Sequence, residues 1–274
     1  SLSGVEMTDH EASKMIAKAV QFLDDEILDD YNKLLKHAKE IRDKAKTTSK
    51  GLKAERDYLA QQHLGHTQLH YLYMRSFYKD IEISSKVQKA VDYYTNQSAT
   101  YWTDFNLYSK GMIALVQHRN EHKIIPAEIL KSLKENSITS EELGMYWKAN
   151  TPSWFWYQSP IETQALMIEV FAEAGNVILS ETKNLEVIDN LKIWLLKNKQ
   201  TNSWKTTKAT TEAVYALLLQ GSDWLTASTE RSRSVYEAVD VTIGNKKIAP
   251  SKLENVKVEA GTGYFKTSWS GNEI

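Results

Sequence analysis

The chain has 274 residues, a formal net charge of −1, and no cysteine. The near-neutral charge removes the electrostatic basis for nucleic-acid binding, and the lack of cysteine excludes disulfides, thiolate metal sites and a cysteine nucleophile. Four prolines and eleven glycines are few for an all-β protein, so composition points to a mostly α fold, on a chain long enough for an ample core.

No run approaches the roughly 20 apolar residues of a membrane span, so no transmembrane segment is expected, and Ser1-Leu2-Ser3-Gly4-Val5 is not a signal peptide. The start reads like a cut inside a longer protein. Thr8 and Glu11 have capping-box spacing and open a helix with the apolar stripe Met15, Ile16, Ala19, Val20, Phe22 and Leu23, continuing through Ile27, Tyr31, Leu34 and Leu35. The acidic cluster Asp24, Asp25, Glu26, Asp29 and Asp30 lacks the loop glycine of a calcium site, and Asp29 pairs with Lys33 at helical spacing, so it reads as a solvated face. From Lys36 to Lys53 charge dominates, ending in Thr47-Thr48-Ser49-Lys50-Gly51, which predicts a projecting helix end and a loop.

His66 and His70 lie four apart on the next helix, with His63 just before it. That spacing suits a metal, but Thr67 stands where a zinc hydrolase places Glu and no third ligand follows. A hydrogen-bonded histidine pair on an inner helix is the expectation, with no metal and no cofactor. Ser84 to Tyr94 and Pro126 to Leu133 read as outer helices, with an inner one at Gly111 to Gln117 between them. Two further capping boxes follow, Thr139-Ser140-Glu141-Glu142 and Ser159-Pro160-Ile161-Glu162, the latter with Pro at the first helical position. Between them lies the densest aromatic segment, from Met145 to Gln158. Its Trp154, Trp156, Tyr157 and Gln158, with Glu162 and Thr163, form a candidate docking face; core, domain interface and ligand stacking all remain open for it.

The stretch from Lys197 to Gly221 ends one helix, turns at Asn202-Ser203, and starts another. The helix before it has Ile188, Leu191 and Leu195 at helical spacing and a polar face. From Ala209 to Leu219 nearly every position is small or apolar, so the second helix should be buried on most sides. Trp204, in the connection, can plug the joint, and Trp204, Thr207, Thr210 and Glu212 make up a structural motif. Aligning Thr67, Ser109, Thr163 and Thr210 gives helix pairs offset by about 42, 54 and 47 residues, a loose repeat. Inner helices with polar groups mainly at their first turns (Glu162, Thr163, Gln164, Lys208, Thr210, Glu212) favour closure into an α/α toroid over an open solenoid, with an apolar lining and one polar mouth. After Gly221 the period changes to two, at Val239 to Ile243, Val256 to Val258 and Tyr264 to Trp269. The chain therefore divides into a helical toroid over 1–230 and β strands over 231–274, whose edges should seek partners on the toroid or on another chain.

The run from Trp204 to Ala213, together with Pro160-Ile161-Glu162-Thr163-Gln164-Ala165 after the aromatic loop, resembles the thioester domain of alpha-2-macroglobulins, above all the large bacterial members of Bacteroidetes. The resemblance implies an α/α toroid inserted into a CUB-like β-domain, of which the C-terminal strands would be the returning half. In that family a Cys-x-Glu-Gln motif forms the thioester. This chain has no Cys, so the motif lies upstream in a longer parent or the parent is a thioester-less member. What the resemblance implies is a non-enzymatic module of a protease-trapping inhibitor, in the periplasm or cell envelope, on a parent compatible with a lipid anchor. Its partners would be a target protease and the other domains of the parent. The alternatives are an α/α-toroid enzyme acting on glycans or terpenoids, or a helical protein-binding scaffold. A hydrolase needs two carboxylates facing across a cleft. Glu162 and Glu212 are the only carboxylates at inner-helix starts, and the capping box claims Glu162.

Overall fold

A computed structural model describes residues 9–152, 159–199 and 204–219, with four short strands beyond them. In chain order the described helices are α1 (Asp9–Asp43), α2 (Thr48–Leu59), α3 (His66–Arg75), α4 (Ser85–Tyr101), α5 (Leu107–Arg119), α6 (Ile124–Glu135), α7 (Pro160–Ala174), α8 (Glu181–Lys197) and α9 (Thr207–Leu219). Strands β1 (Ile138–Ser140) and β2 (Gly144–Tyr146) separate α6 from α7. Strands β3 (Val241–Ile243) and β4 (Lys246–Ile248) form one antiparallel hairpin, and β5 (Lys257–Glu259) and β6 (Tyr264–Lys266) another. The chain is thus mostly α-helical, and the C-terminal strands, expected to lack partners, pair locally with one another.

α3, α5, α7 and α9 pack in sequence order as an inner row. α5 and α7 are buried at nearly every position, and their side chains Met112, Ile113, Leu115, Met167, Ile168 and Phe171 are the centre of the core. Gly111 sits where α5 and α7 approach most closely, since a Cβ there would lie 2.9 Å from Met167 Cε and 3.0 Å from Leu166 Cδ2. The outer members are amphipathic: α4 packs on α5, α6 on α5 and α7, and α8 on α7, with α1 against α3 and α4. Helix pairs of unequal burial are what the repeat spacing predicts.

Buried amides tie the inner helices to their neighbours. Gln117 Nε2 donates to Thr95 O (2.9 Å) and Ser98 Oγ (2.8 Å), linking α5 to α4. Gln164 Nε2 donates to Met145 O (2.8 Å) and Leu191 O (3.1 Å), so one α7 side chain holds both β2 and α8. Asn184 Nδ2 donates to Phe171 O at 2.9 Å, fixing the start of α8 on α7. Such bonds add little net stability, but a shifted register would orphan them at about 1–3 kcal/mol each.

Four expectations need correction. The Lys36–Lys53 segment is not a projecting helix end followed by a loop: α1 ends at Asp43, Thr47 caps α2 by accepting from the Lys50 amide, and α2 folds back on α1, joined by the Arg42–Glu55 ion pair at 3.3 Å. Thr139-Ser140-Glu141-Glu142 starts no helix but forms the β1–β2 hairpin; its sequence resembles a capping box because caps and turns use the same residues. α7 begins at Pro160 as expected, yet the Ser159 side chain makes no capping bond. Finally, α9 buries only one stripe, Ala209, Ala213 and Ala216, against α7, while Val214 and Tyr215 are exposed. Small residues here permit close approach to one neighbour rather than burial all round.

Candidate functional site

Each inner helix presents a line of polar or aromatic side chains at helical spacing. On α3 these are His66, His70 and Tyr73; on α5, Tyr108 and Arg119; on α7, Glu162, Glu169 and Glu173; on α9, Lys208, Glu212 and Tyr215. The lines face one another. Glu212 feels Lys208 and Glu162, Tyr108 feels Glu212, Glu162 and Glu169, and His70 feels Lys208, so the starts of all four helices share one electrostatic environment.

Burial governs the titration of this seam. It pushes the Glu212 carboxyl above its usual range, and the negative Glu162 adds to the shift while Lys208 opposes it. It holds His70 down to about 4, helped by the nearby Lys208 and His66 charges. His66 is also lowered by burial; its Nδ1 lies 3.1 Å from Ser109 Oγ. His70 stacks on Tyr108 with ring centroids 6.0 Å apart. The third histidine, His63, turns away to the Tyr58 carbonyl at 2.7 Å. No group of three potential ligands that could hold a metal is found among the described residues.

Farther along the seam, Glu169 is almost fully buried in the middle of α7. It accepts from Tyr73 Oη at 2.7 Å and from Arg119 Nη2 at 2.6 Å, and Arg119 also reaches Glu173 at 2.6 Å. The Arg119 guanidinium lies over the Phe77 ring, 4.0 Å from its centroid. An apolar lining, polar only at the rim formed by the helix starts, was the expectation; an ion-paired network toward the C-terminal ends of α3, α5 and α7 adds a second polar region. The sequence carried a signal for it, because Glu162, Glu169 and Glu173 are spaced by seven and four and so share one face of α7.

Of the proposed docking face, Trp154, Trp156, Tyr157 and Gln158 lie outside the described residues. Glu162 and Thr163 are 7% and 2% exposed and belong to the packed start of α7 rather than to an open face. Trp147, from the same aromatic stretch, is core, its indole N–H donating to Leu133 O at 2.7 Å.

Trp204 is likewise buried. Its indole N–H donates to Leu195 O on α8 (2.9 Å), and its backbone N–H donates to Thr210 Oγ1 on α9 (3.1 Å). Thr206 Oγ1 accepts from the Ala209 amide at 3.0 Å and caps α9. Thr207 is exposed and takes part only through its carbonyl, which accepts from Thr211 Oγ1 at 3.0 Å; Glu212 turns into the seam. The structural motif therefore splits, Trp204 and Thr210 building the joint and Glu212 the seam. No family model matches the chain, and no curated protein matches it. No described helix is long and apolar enough to cross a membrane.

Proposed function

We propose that the chain is a non-enzymatic module of a bacterial alpha-2-macroglobulin-like protease-trapping inhibitor, its helix pairs forming part of an α/α toroid and its C-terminal strands part of a CUB-like β-domain. The observation that carries this reading is the Trp204 joint. The most specific residues of the resemblance are spent on architecture, since Trp204 and Thr210 lock the end of α8 to the start of α9. The ion pairs of the seam point the same way: Arg119 is held by Glu169 and Glu173, and Glu169 by Tyr73, so these charges satisfy one another instead of awaiting a substrate. A rigid internal brace suits a module that docks on neighbouring domains and a trapped protease in the periplasm or cell envelope.

The test uses the full gene product incubated with an active protease. Trapping leaves cleavage of a small chromogenic peptide intact while cleavage of a large protein substrate falls; equal cleavage of both with and without the product refutes the reading.

One observation favours a second reading. Glu162 on α7 and Glu212 on α9 are near enough to feel each other's charge, both act on Tyr108, and burial raises the Glu212 carboxyl, which is an arrangement a glycan hydrolase could use. That reading expects Glu212→Gln to abolish polysaccharide hydrolysis without lowering the melting temperature.

A further inference from the structure

Between the C-terminal ends of α3 and α5 and one side of α4 lies a cleft of about 190 Å³, bordered by the chain that leads from α3 to α4. Its walls are Leu72, Ile81, Ile83, Val91 and Val116, and its charged lining groups, Arg75 and Lys79, are both cations. Among the described residues no carboxylate lines it, and Asp80 and Glu82 of the same connection are exposed outside it. The two cations differ in how far they are already used. Arg75 is offset by Asp24, 3.2 Å from its Nε, and donates to the carbonyls of Tyr78 and Ile81. Lys79 is exposed, donates to the Arg119 carbonyl, and has no carboxylate paired with it among the described residues. The carbonyl end of α5 would by itself repel an anion. Lys79 offsets it there and keeps two of its three ammonium donors.

Thr95 adds an independent mark. It lines the cleft and is 8% exposed, yet its hydroxyl has no hydrogen-bond partner among the described residues. A buried hydroxyl left unbonded costs stability, and helical threonines commonly avoid this by bonding the carbonyl one turn back. A turn about χ1 exchanges the hydroxyl with the methyl and breaks no existing bond, so the hydroxyl is available to a group in the cleft.

We propose that this cleft binds a small aliphatic carboxylate, its carboxylate on Lys79 and its hydrocarbon body against the apolar walls. With Arg75 offset by Asp24, one positive charge is left over, which matches a monoanion rather than a phosphate dianion. The volume lies below the roughly 300–1,000 Å³ of drug-sized sites, so the ligand is small. The apolar walls gain nothing from a bare inorganic ion, whereas a branched chain of a few carbons buries against them. The site uses none of the carboxylates of the seam, and so is independent of what the seam does.

Amide chemical shifts of the full chain, followed by NMR as 3-methylbutanoate is titrated to millimolar concentration, are the test. The expected result is saturable shifts within 79–83, 88–95 and 116–120. The uncharged 3-methylbutan-1-ol, which keeps the body, and acetate, which keeps the charge, each bind at least tenfold more weakly. Lys79→Gln weakens 3-methylbutanoate at least tenfold and Lys79→Arg retains it. Val91→Phe, which fills the cleft, abolishes binding with the helical circular dichroism intact. Thr95→Val weakens binding while raising the melting temperature of the free chain, because it removes the unbonded hydroxyl. Shifts that do not saturate, an alcohol that binds as well as the acid, a preference for inorganic phosphate, or an affinity indifferent to Lys79→Gln would overturn the proposal.

Discussion

At the scale of single residues, buried polar contacts decide more than apolar area does. Trp204 fills the joint between α8 and α9 and donates to a carbonyl at the end of α8 that no helical amide can satisfy. Trp204→Ala therefore removes a buried ring and a helix-end partner together. It should cost about 3–5 kcal/mol in urea unfolding, whereas loss of the hydroxyl in Thr210→Val should cost about 1 kcal/mol. His70 makes a pH-dependent prediction. Its folded pKa of about 4 lies below its ordinary value near 6.5, so between these values the unfolded chain binds the extra proton and stability is lost as pH falls. Glu169 and Glu212 act in the opposite sense: with carboxyls raised by burial, they favour the folded state as pH drops toward their unfolded value. Melting curves from pH 7 to pH 4 should accordingly fall less steeply in His70→Gln than in the parent chain, and equal slopes would exclude His70 as the acid-sensitive group. The Trp204 plug was legible in the sequence because an indole between two helical patterns has few other uses. The Glu169 network was only half legible: the spacing of Glu162, Glu169 and Glu173 marks one face of α7, but that face names no partner until Tyr73 and Arg119, 96 and 50 residues before Glu169 respectively, meet it in space.

At the scale of elements, the legible parts were those with a strong period. α3, α5, α7 and α8 fall where their apolar spacing puts them, and α9 begins where the Thr-rich run follows the turn. The misread parts were short and polar: α2 looks like a loop because charge outweighs its apolar residues, and β1–β2 looks like a helix start. What makes the hairpin a hairpin is Gly144, at φ 71°, which lets β2 press on α8 so closely that a Cβ would stand 2.2 Å from Asn190 O. Gly144→Ala combines a left-handed backbone with a clash against main chain, which cannot move aside as a side-chain tip could. It should destabilise by about 2 kcal/mol or more and lower protection of the 138–146 amides in hydrogen exchange, while amides of α5 keep theirs. Uniform protection across both would place the strain elsewhere.

At the scale of the whole molecule, the weak point is where the long α1 joins the inner row. Asp24, part of an acidic cluster whose pattern reads as a solvated face, is buried instead: Tyr71 Oη on α3 donates to it at 2.6 Å, and Arg75 Nε stands 3.2 Å away as a charge contact. Arg75 also donates to the carbonyls of Tyr78 and Ile81, so one guanidinium joins α1, α3 and the chain leading to α4. Helical periodicity alone hides this, because Asp24 shares its neighbours' composition and only its position beside Val20 and Ile27 puts it inside. Arg75→Ala leaves a buried carboxylate without its counter-charge, a change that typically costs about 3–5 kcal/mol. The loss should be local, since α2 depends on α1 whereas α5 and α7 hold each other through Gly111, Met167 and Leu166. Hydrogen exchange on Arg75→Ala should then show α1 and α2 losing protection well before α5 and α7. Adding Asp24→Asn removes the orphaned charge while keeping an acceptor for Tyr71, and should recover part of the loss; a double variant no more stable than Arg75→Ala would mean that the carbonyl contacts of Arg75, not its pairing with Asp24, hold α1 in place.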